Sequence, residues 1–169
     1  MRQRVVIALA LAANPRLIIA DEPTTALDVS IQAQIIALLK RLGRDHGTAI
    51  MLVTHDMGVI AETAHRVAVM YAGRIVEIGP VRTIVEQPSH PYTIGLMASI
   101  PRTAGRRDRL QQIDGTMPRL NAIPQGCPFN PRCIEAFDRC RRERPDLMAA
   151  KATEAACWLY ADAKQPAHA

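Results

Sequence analysis

Leu17-Ile18-Ile19-Ala20-Asp21-Glu22-Pro23, residues 17–23, is an apolar run that ends abruptly in two acids and a proline. It reads as a strand buried on both faces whose C-terminal end turns suddenly polar. From about Val29 to Leu42, the residues Ile31, Ile35, Leu38, Leu39 and Leu42 recur at helical spacing, and Gly43 and Gly47 close the segment. Ala49-Ile50-Met51-Leu52-Val53 is again apolar throughout and ends in Thr54-His55-Asp56. Strand, crossover helix, strand is a βαβ unit, with parallel strands and a right-handed connection, so both polar ends emerge at one sheet edge. Ligands of such sheets sit at that carboxyl edge.

Working outward, Arg2 to Ala13 is rich in Leu and Ala and stops at Asn14-Pro15, which predicts a mostly buried helix. The sequence reads as if it begins inside an element. Beyond the βαβ unit a short helix is expected around Met57 to Thr63. Arg66 to Tyr71 and Arg74 to Ile78 flank Ala72-Gly73, a hairpin turn. Short helices are expected at Thr83 to Glu86 and Tyr92 to Ala98. From Pro101 to Gln125 no period remains, and the segment reads as a linker or extended arm.

The 169 residues are 49% apolar and 22% charged, the balance of a globular protein. The longest apolar run, Val5 to Ala13, has nine residues, against the roughly 18 to 20 that a bilayer span requires. No flanking basic region and small-residue cleavage site mark a signal peptide. Residues 1–100 hold 9 Lys/Arg against 8 Asp/Glu, and residues 101–169 hold 12 against 8, so the basic excess lies in the second part. All four cysteines lie there too. These two shifts place a domain boundary near residue 100, giving units 1–100 and 101–169.

An apolar strand ending in Asp-Glu is what a nucleotide hydrolase needs beside magnesium phosphate. Asp21 can hold Mg²⁺, a hard cation that takes oxygen ligands, and Glu22 can orient and polarise an attacking water. Alone, such a pair is more often merely solvated, and His55 alone would read as a hydrogen-bonded histidine at a strand end.

The words around them are more specific. Residues 17–28, LIIADEPTTALD, followed by Val53-Thr54-His55-Asp56 with His55 27 residues after Asp28, resemble the ATP-binding subunits of ABC transporters. The resemblance implies an α/β fold, the C-terminal part of an ABC-type P-loop ATPase domain, with parallel strands and crossover helices and then a β-hairpin. It sets Asp21 on the Walker B aspartate that binds Mg²⁺, Glu22 on the catalytic glutamate, and Ala26 to Asp28 on the D-loop. His55 falls on the switch histidine. Glu22 and His55 are thus the catalytic candidates, and Asp21 and Asp28 the cofactor-binding ones, with ATP and Mg²⁺ as cofactors. In the family the D-loop couples two ATPase subunits.

No G-x-x-x-x-G-K-[ST] phosphate loop occurs in these residues, nor a Q-loop, nor a Leu-Ser-Gly-Gly stretch. Met1-Arg2-Gln3-Arg4 resembles the tail of that signature motif. The expectation is the C-terminal portion of a subunit, inactive by itself, with unpaired ladder groups where the family's phosphate-loop strand would lie.

His90-Pro91-Tyr92-Thr93, Leu96 to Pro101, and Gly126-Cys127-Pro128-Phe129-Asn130-Pro131-Arg132-Cys133 resemble the tail of the ATPases of oligopeptide and dipeptide importers. Cys127, Cys133, Cys140 and Cys157 stand as C-x5-C-x6-C-x16-C. A four-thiolate metal site, two disulfides and four separate buried thiols are the competing readings. Disulfides need an oxidising compartment, and structural zinc sites usually include a tight C-x2-4-C pair, which this spacing lacks. Some members of the resembled subfamily hold a [4Fe-4S] cluster in this cysteine-rich extension, which implies one here, with zinc as the lesser alternative. Arg132, Arg139 and Arg142 are candidates to offset its negative charge.

The arginine groups Arg102, Arg106, Arg107, Arg109 and Arg139, Arg141, Arg142, Arg144 are interleaved with acids and lack stacking aromatics. They read as a solvated or headgroup-facing surface and not as a nucleic-acid platform. The resemblance implies an ATPase that powers peptide import from the cytoplasmic face of the cell membrane, where it is peripheral. Its implied partners are a second ATPase subunit, homo- or heterodimeric, permease subunits in the membrane and, indirectly, an extracytoplasmic peptide-binding protein. The alternative is a truncated, non-catalytic product retaining an interaction or metal-binding role.

Overall fold

The computed structural model describes residues 2–25, 27–100 and 112–161. Met1, Ala26 of the D-loop match, and Arg102, Arg106, Arg107 and Arg109 fall outside them. The chain divides into two compact units, 1–64 and 65–169.

In the first unit, α1 (Arg2–Ala12) leads into β1 (Leu17–Asp21), α2 (Val29–His46), β2 (Ala49–Val53) and α3 (Met57–Thr63). β1 and β2 pair in parallel, Leu17 opposite Ala49 through Asp21 opposite Val53. Helix α2 starts where the Asp28 carboxylate accepts the Ile31 N–H at 2.9 Å. It stops at Gly47, whose φ of 64° is the left-handed value that glycine adopts without steric cost. Its apolar stripe, Ile35, Leu39 and Leu42, forms a core with Ile7, Leu11, Ala20, Leu27, Ile31, Leu38 and Ile50. At roughly 1.5 to 3 kcal/mol per fully buried aliphatic side chain, this stripe is the main stabilising element of the unit.

The strands are not buried on both faces, as their composition predicts. Ile18, Ala20, Ile50 and Leu52 are half-buried, whereas Leu17, Ile19, Met51 and Val53 on the alternate positions are 51, 63, 53 and 42% exposed. Two strands carrying a helical layer on one side leave the other side open within this unit, so the alternation of the pleat shows through.

The second unit is built on a four-stranded antiparallel sheet of order β3-β4-β6-β5, from β3 (Arg66–Tyr71), β4 (Arg74–Pro80), β5 (Met148–Ala150) and β6 (Thr153–Ala155). Ala72 and Gly73, at φ 47° and 76°, make the hairpin turn between β3 and β4, two positive values in succession as a type I′ turn requires. Helices α4 (Val81–Glu86) and α5 (Pro91–Ser99) follow, and α6 (Asp138–Arg142) lies in the tail. Glu77 and Ile78 of β4 pair with Ala155 and Glu154 of β6. The cysteine-bearing tail therefore adds strands to the hairpin's own sheet, and both belong to the compact unit that begins at His65.

In the tail, Ile134 is 94% exposed, and Phe137 and Leu147 are 41 and 39% exposed. Phe129 is the tail's buried aromatic side chain, and it packs on Tyr71 and Tyr92 at centroid distances of 5.2 and 5.5 Å. Tyr71 and Tyr92 belong to β3 and α5, so the extension shares this aromatic core with the hairpin, beside a small cluster of its own in which Tyr160 packs on Ala150, Ala155 and Cys157. Arg132 fastens the chain on the approach to this cluster, donating to the carbonyls of Asp114 and Ile113 at 2.8 and 2.9 Å and to the Tyr71 hydroxyl at 3.3 Å.

Candidate functional site

Parallel pairing carries the ends of β1 and β2 to one edge, and the Glu22 N–H donates to the Val53 carbonyl at 2.8 Å. Glu22 takes a positive φ of 44°, which turns the chain sharply off the strand. One carboxylate oxygen, Oε1, lies 2.6 Å from His55 Nδ1, and the other, Oε2, accepts from the Thr25 hydroxyl. These hydrogen bonds, that of Thr25 before that of His55, hold the Glu22 carboxyl below the usual carboxylate range. The same contact to Glu22 raises the His55 imidazole above its ordinary value. His55 is 82% exposed, so its second ring nitrogen is open to the space beyond the sheet edge. Asp21 is exposed at the same edge, and its carboxylate suits a hard divalent cation.

The remaining polar residues at this edge hold the backbone. Asp28 is the α2 N-cap, as described. Asp56 caps α3 by accepting from Gly58 N and Val59 N at 2.9 and 3.2 Å, and it takes a further bond from Gln32 Nε2 at 3.0 Å. The Val59 bond is the leading reason its carboxyl lies below the ordinary range. The resulting edge offers a fixed carboxylate base, an imidazole held against it and a second carboxylate for a cation, the parts that phosphoryl transfer to water uses.

In the tail, Cys127, Cys133, Cys140 and Cys157 all carry free thiols, so no disulfide joins them. All four line one cavity, with His90, Phe129 and Trp158 also in its wall. Three backbone bonds shape it: the Cys127 N–H donates to the Cys140 carbonyl at 2.8 Å, Asn130 N–H to Cys127 O at 3.0 Å, and Cys133 N–H to Asn130 O at 3.4 Å. Gly126, at φ 76°, permits the first of these, because a Cβ there would overlap the Cys140 carbonyl oxygen and come within 2.8 Å of the Arg141 carbonyl carbon.

Burial pushes the Cys127 and Cys133 thiols up and Cys157 up to about 11, with neighbouring cysteines adding to each shift. Backbone N–H groups two residues on oppose it, from Phe129 on Cys127, Glu135 on Cys133 and Leu159 on Cys157. Such N–H donors to sulfur favour the thiolate that a metal requires.

Among the described residues no group of three or more His, Cys, Asp or Glu side chains is closed into ligating geometry. The cavity measures about 10 Å³, the space of one water-sized atom. The donor chemistry fits a four-thiolate centre, and a multi-iron cluster requires the four sulfurs to spread. The arginines read as charge-balancing are otherwise engaged: Arg139 pairs with Glu143 at 2.8 Å and stacks 3.6 Å above the Trp158 ring, and Arg142 pairs with Asp138 at 3.1 Å.

Sequence reasoning missed Glu77, which is 0% exposed and gathers Ser89, His90 and Thr153 around its carboxylate.

Residues 76–140 match the family profile "Oligopeptide/dipeptide transporter, C-terminal region". The chain is 50% identical over 161 residues, 95% of its length and 49% of the relative's, to the oligopeptide transport ATP-binding protein AppD of Bacillus subtilis. It is 49% identical over 158 residues, 93% of its length and 48% of the relative's, to the dipeptide transport ATP-binding protein DppD of Escherichia coli. The chain thus spans about half the length of the curated relatives it matches. A solved inward-facing transporter described as of the metal-chelate ABC type aligns at 24% identity and TM-score 0.52, covering 64% of this chain and 42% of that one, a likeness of fold.

Proposed function

From this chain's membership of the ATP-binding proteins of ABC-type oligopeptide and dipeptide transporters, we propose that it carries the water-activating edge of a peptide-import ATPase. The observation that carries the reading is the 2.6 Å contact between Glu22 and His55 at the carboxyl edge of two parallel strands. MgATP, when bound, supplies the γ-phosphoryl group and the cation that shields its charge. Asp21 helps hold that cation. Glu22, kept ionised by Thr25 and His55, would accept the proton of an attacking water, and the second ring nitrogen of the exposed His55 would be available to the γ-phosphate. Asp28 orders the D-loop as the cap of α2, on the nucleotide side of a contact with a second ATPase subunit.

Permease subunits and, through them, an extracytoplasmic peptide-binding protein complete the assembly, which places the subunit at the cytoplasmic face of the membrane. Among the described residues no helix is long and apolar enough to cross a membrane. Residues 1–169 contain no phosphate loop, so by itself the chain is expected to capture no MgATP.

In the tail the four cysteines form a centre for a [4Fe-4S] cluster. Convergence of four thiols on one cavity and N–H donors to three sulfurs support it. The role is structural or concerned with assembly, because the cysteines lie far along the chain from Asp21, Glu22 and His55.

Peptide uptake by cells carrying the full-length gene and its neighbours tests the transport reading. Glu22→Gln is expected to reduce uptake and ATP turnover to background with ATP binding retained. Turnover within about threefold of wild type, a barrier change below ~0.7 kcal/mol, rejects the assignment of Glu22.

A further inference from the structure

Three of the four cysteines are tied to one another locally. Cys127 and Cys140 share a backbone bond, and Cys133 closes a turn on Asn130. Cys157 follows Cys140 after 16 intervening residues, the longest gap of the set, and must be fixed by something else.

His90 is 1% exposed and forms part of the wall of the cysteine cavity. Its Nδ1 accepts the Tyr92 N–H at 3.1 Å. The ring also meets the backbone of Ala156, the residue before Cys157, in a hydrogen bond that favours its charged form. Both nitrogens are used, so His90 has no lone pair to offer a metal and is not a fifth ligand. Burial holds the ring neutral, with its pKa lowered to about 4, as a ring that accepts on one nitrogen and donates on the other must be.

His90 is itself fixed from below. Glu77 Oε2 accepts the His90 N–H at 3.0 Å, and Oε1 accepts the Ser89 N–H at 2.8 Å and the Thr153 hydroxyl at 2.9 Å. On the far side of Cys157, the Tyr160 hydroxyl donates to Ser89 O at 2.9 Å and its N–H to Cys157 O at 3.2 Å. The Ala156 N–H is held by Val76 O at 2.9 Å.

We propose that His90 is the positioning residue for the Cys157 ligand, and that the buried Glu77 carboxylate orients His90 for that task. The β4 strand, the start of α5 and the fourth cysteine thereby form one hydrogen-bonded frame. The inference rests on the reading of the cysteines as a metal centre.

The test uses the complete subunit that contains this sequence, purified anaerobically, with iron, sulfide and zinc content, the visible and EPR spectra, and the rate of metal loss to a chelator as readouts. His90→Ala and Glu77→Gln are expected to lose metal about 10- to 100-fold faster than wild type, as removal of outer-shell partners does. His90→Gln, which can restore an amide N–H toward Ala156, is expected to recover most of the retention with a shifted spectrum. Thr93→Val, which alters a buried hydroxyl without a hydrogen-bond partner on the same helix, should match wild type. Wild-type retention and an unchanged spectrum in His90→Ala or, should that variant not fold, in His90→Gln overturn the positioning role and leave the metal centre standing. A wild-type protein that holds no metal overturns both.

Discussion

Glu22 Oε1 and His55 Nδ1 meet at 2.6 Å across the ends of two adjacent parallel strands, although 33 residues separate them in the chain. The contact couples their protonation, raising His55 and lowering Glu22. A raised histidine contributes stability that is present below its unfolded value near 6.5 and is lost as pH rises through the folded value. A lowered glutamate contributes above its unfolded value near 4.5 and loses that contribution as pH falls. The pair is therefore fully formed between those limits. Titration of the His55 ring protons by NMR is expected to show a midpoint above the ordinary histidine value, which Glu22→Gln returns toward it. A midpoint that Glu22→Gln leaves unmoved contradicts the coupling.

Asp28 ends the D-loop match and also starts α2, accepting the Ile31 N–H. Asp28→Ala removes the cap and should destabilise the fold by about 1 kcal/mol, whereas Asp28→Asn or Asp28→Ser keeps an acceptor in place and should lose a few tenths at most. Denaturant titration of the three variants checks this. Equal losses in all three would mean that the side chain's charge, not its capping bond, stabilises the helix start.

The element order of the first unit was legible from apolar strand runs, a helical stripe at Ile35, Leu39 and Leu42 and a glycine stop, whereas the burial expected of Arg2 to Ala13 is not met, with Val5, Val6 and Leu9 58, 63 and 69% exposed. The exposed alternate face of β1 and β2 was not legible, because composition reports what a strand tolerates and not which layers cover it. The second unit hid more. β5 and β6 are three residues each, Met-Ala-Ala and Thr-Glu-Ala, with almost no β-branched content, and pairing, of β6 with β4 and of β5 with β6, makes them strands.

Glu77 was hidden by register. Alternation along Arg74 to Pro80 sets Glu77 opposite in facing to Val76. However, β3 pairs Val69 with Glu77 and then Met70 with Ile75, so Val76 is the extra residue of a bulge. The bulge turns Val76 and Glu77 inward together, at 2% and 0% exposure. The four cysteines, by contrast, were recognisable as a group from their count and confinement, and the fold brings them to one cavity.

Gly126 has a role that spacing could not show. Its left-handed φ and the approach of the Cys140 carbonyl leave no space for a side chain. Gly126→Ala is expected to cost roughly 2 to 4 kcal/mol through left-handed strain and displaced backbone, and to separate Cys127 from Cys140. Thermal unfolding and metal content measured on the same preparation check both. A variant with wild-type stability would show that the loop relaxes without strain.

The thiols give the last prediction. Without metal, burial keeps Cys127, Cys133 and Cys157 protonated past their ordinary value, Cys157 to about 11. A group whose folded pKa is raised contributes stability below its unfolded value near 9 and loses that contribution as pH rises toward the folded one, so the metal-free tail should loosen between about 9 and 11. Metal binding must expel these protons, and the affinity should therefore rise with pH across the neutral range. Alkylation with iodoacetamide at pH 8 is expected to be slow at all four sites and fastest at half-buried Cys133 in the metal-free protein. In metal-loaded protein all four cysteines should be protected together, with iron and sulfide recovered in equal amounts. One zinc without sulfide converts the centre to a zinc site. Four thiols that react independently in metal-replete protein rule out either form, and the tail is then held by Phe129, Tyr71 and Tyr92 without a metal.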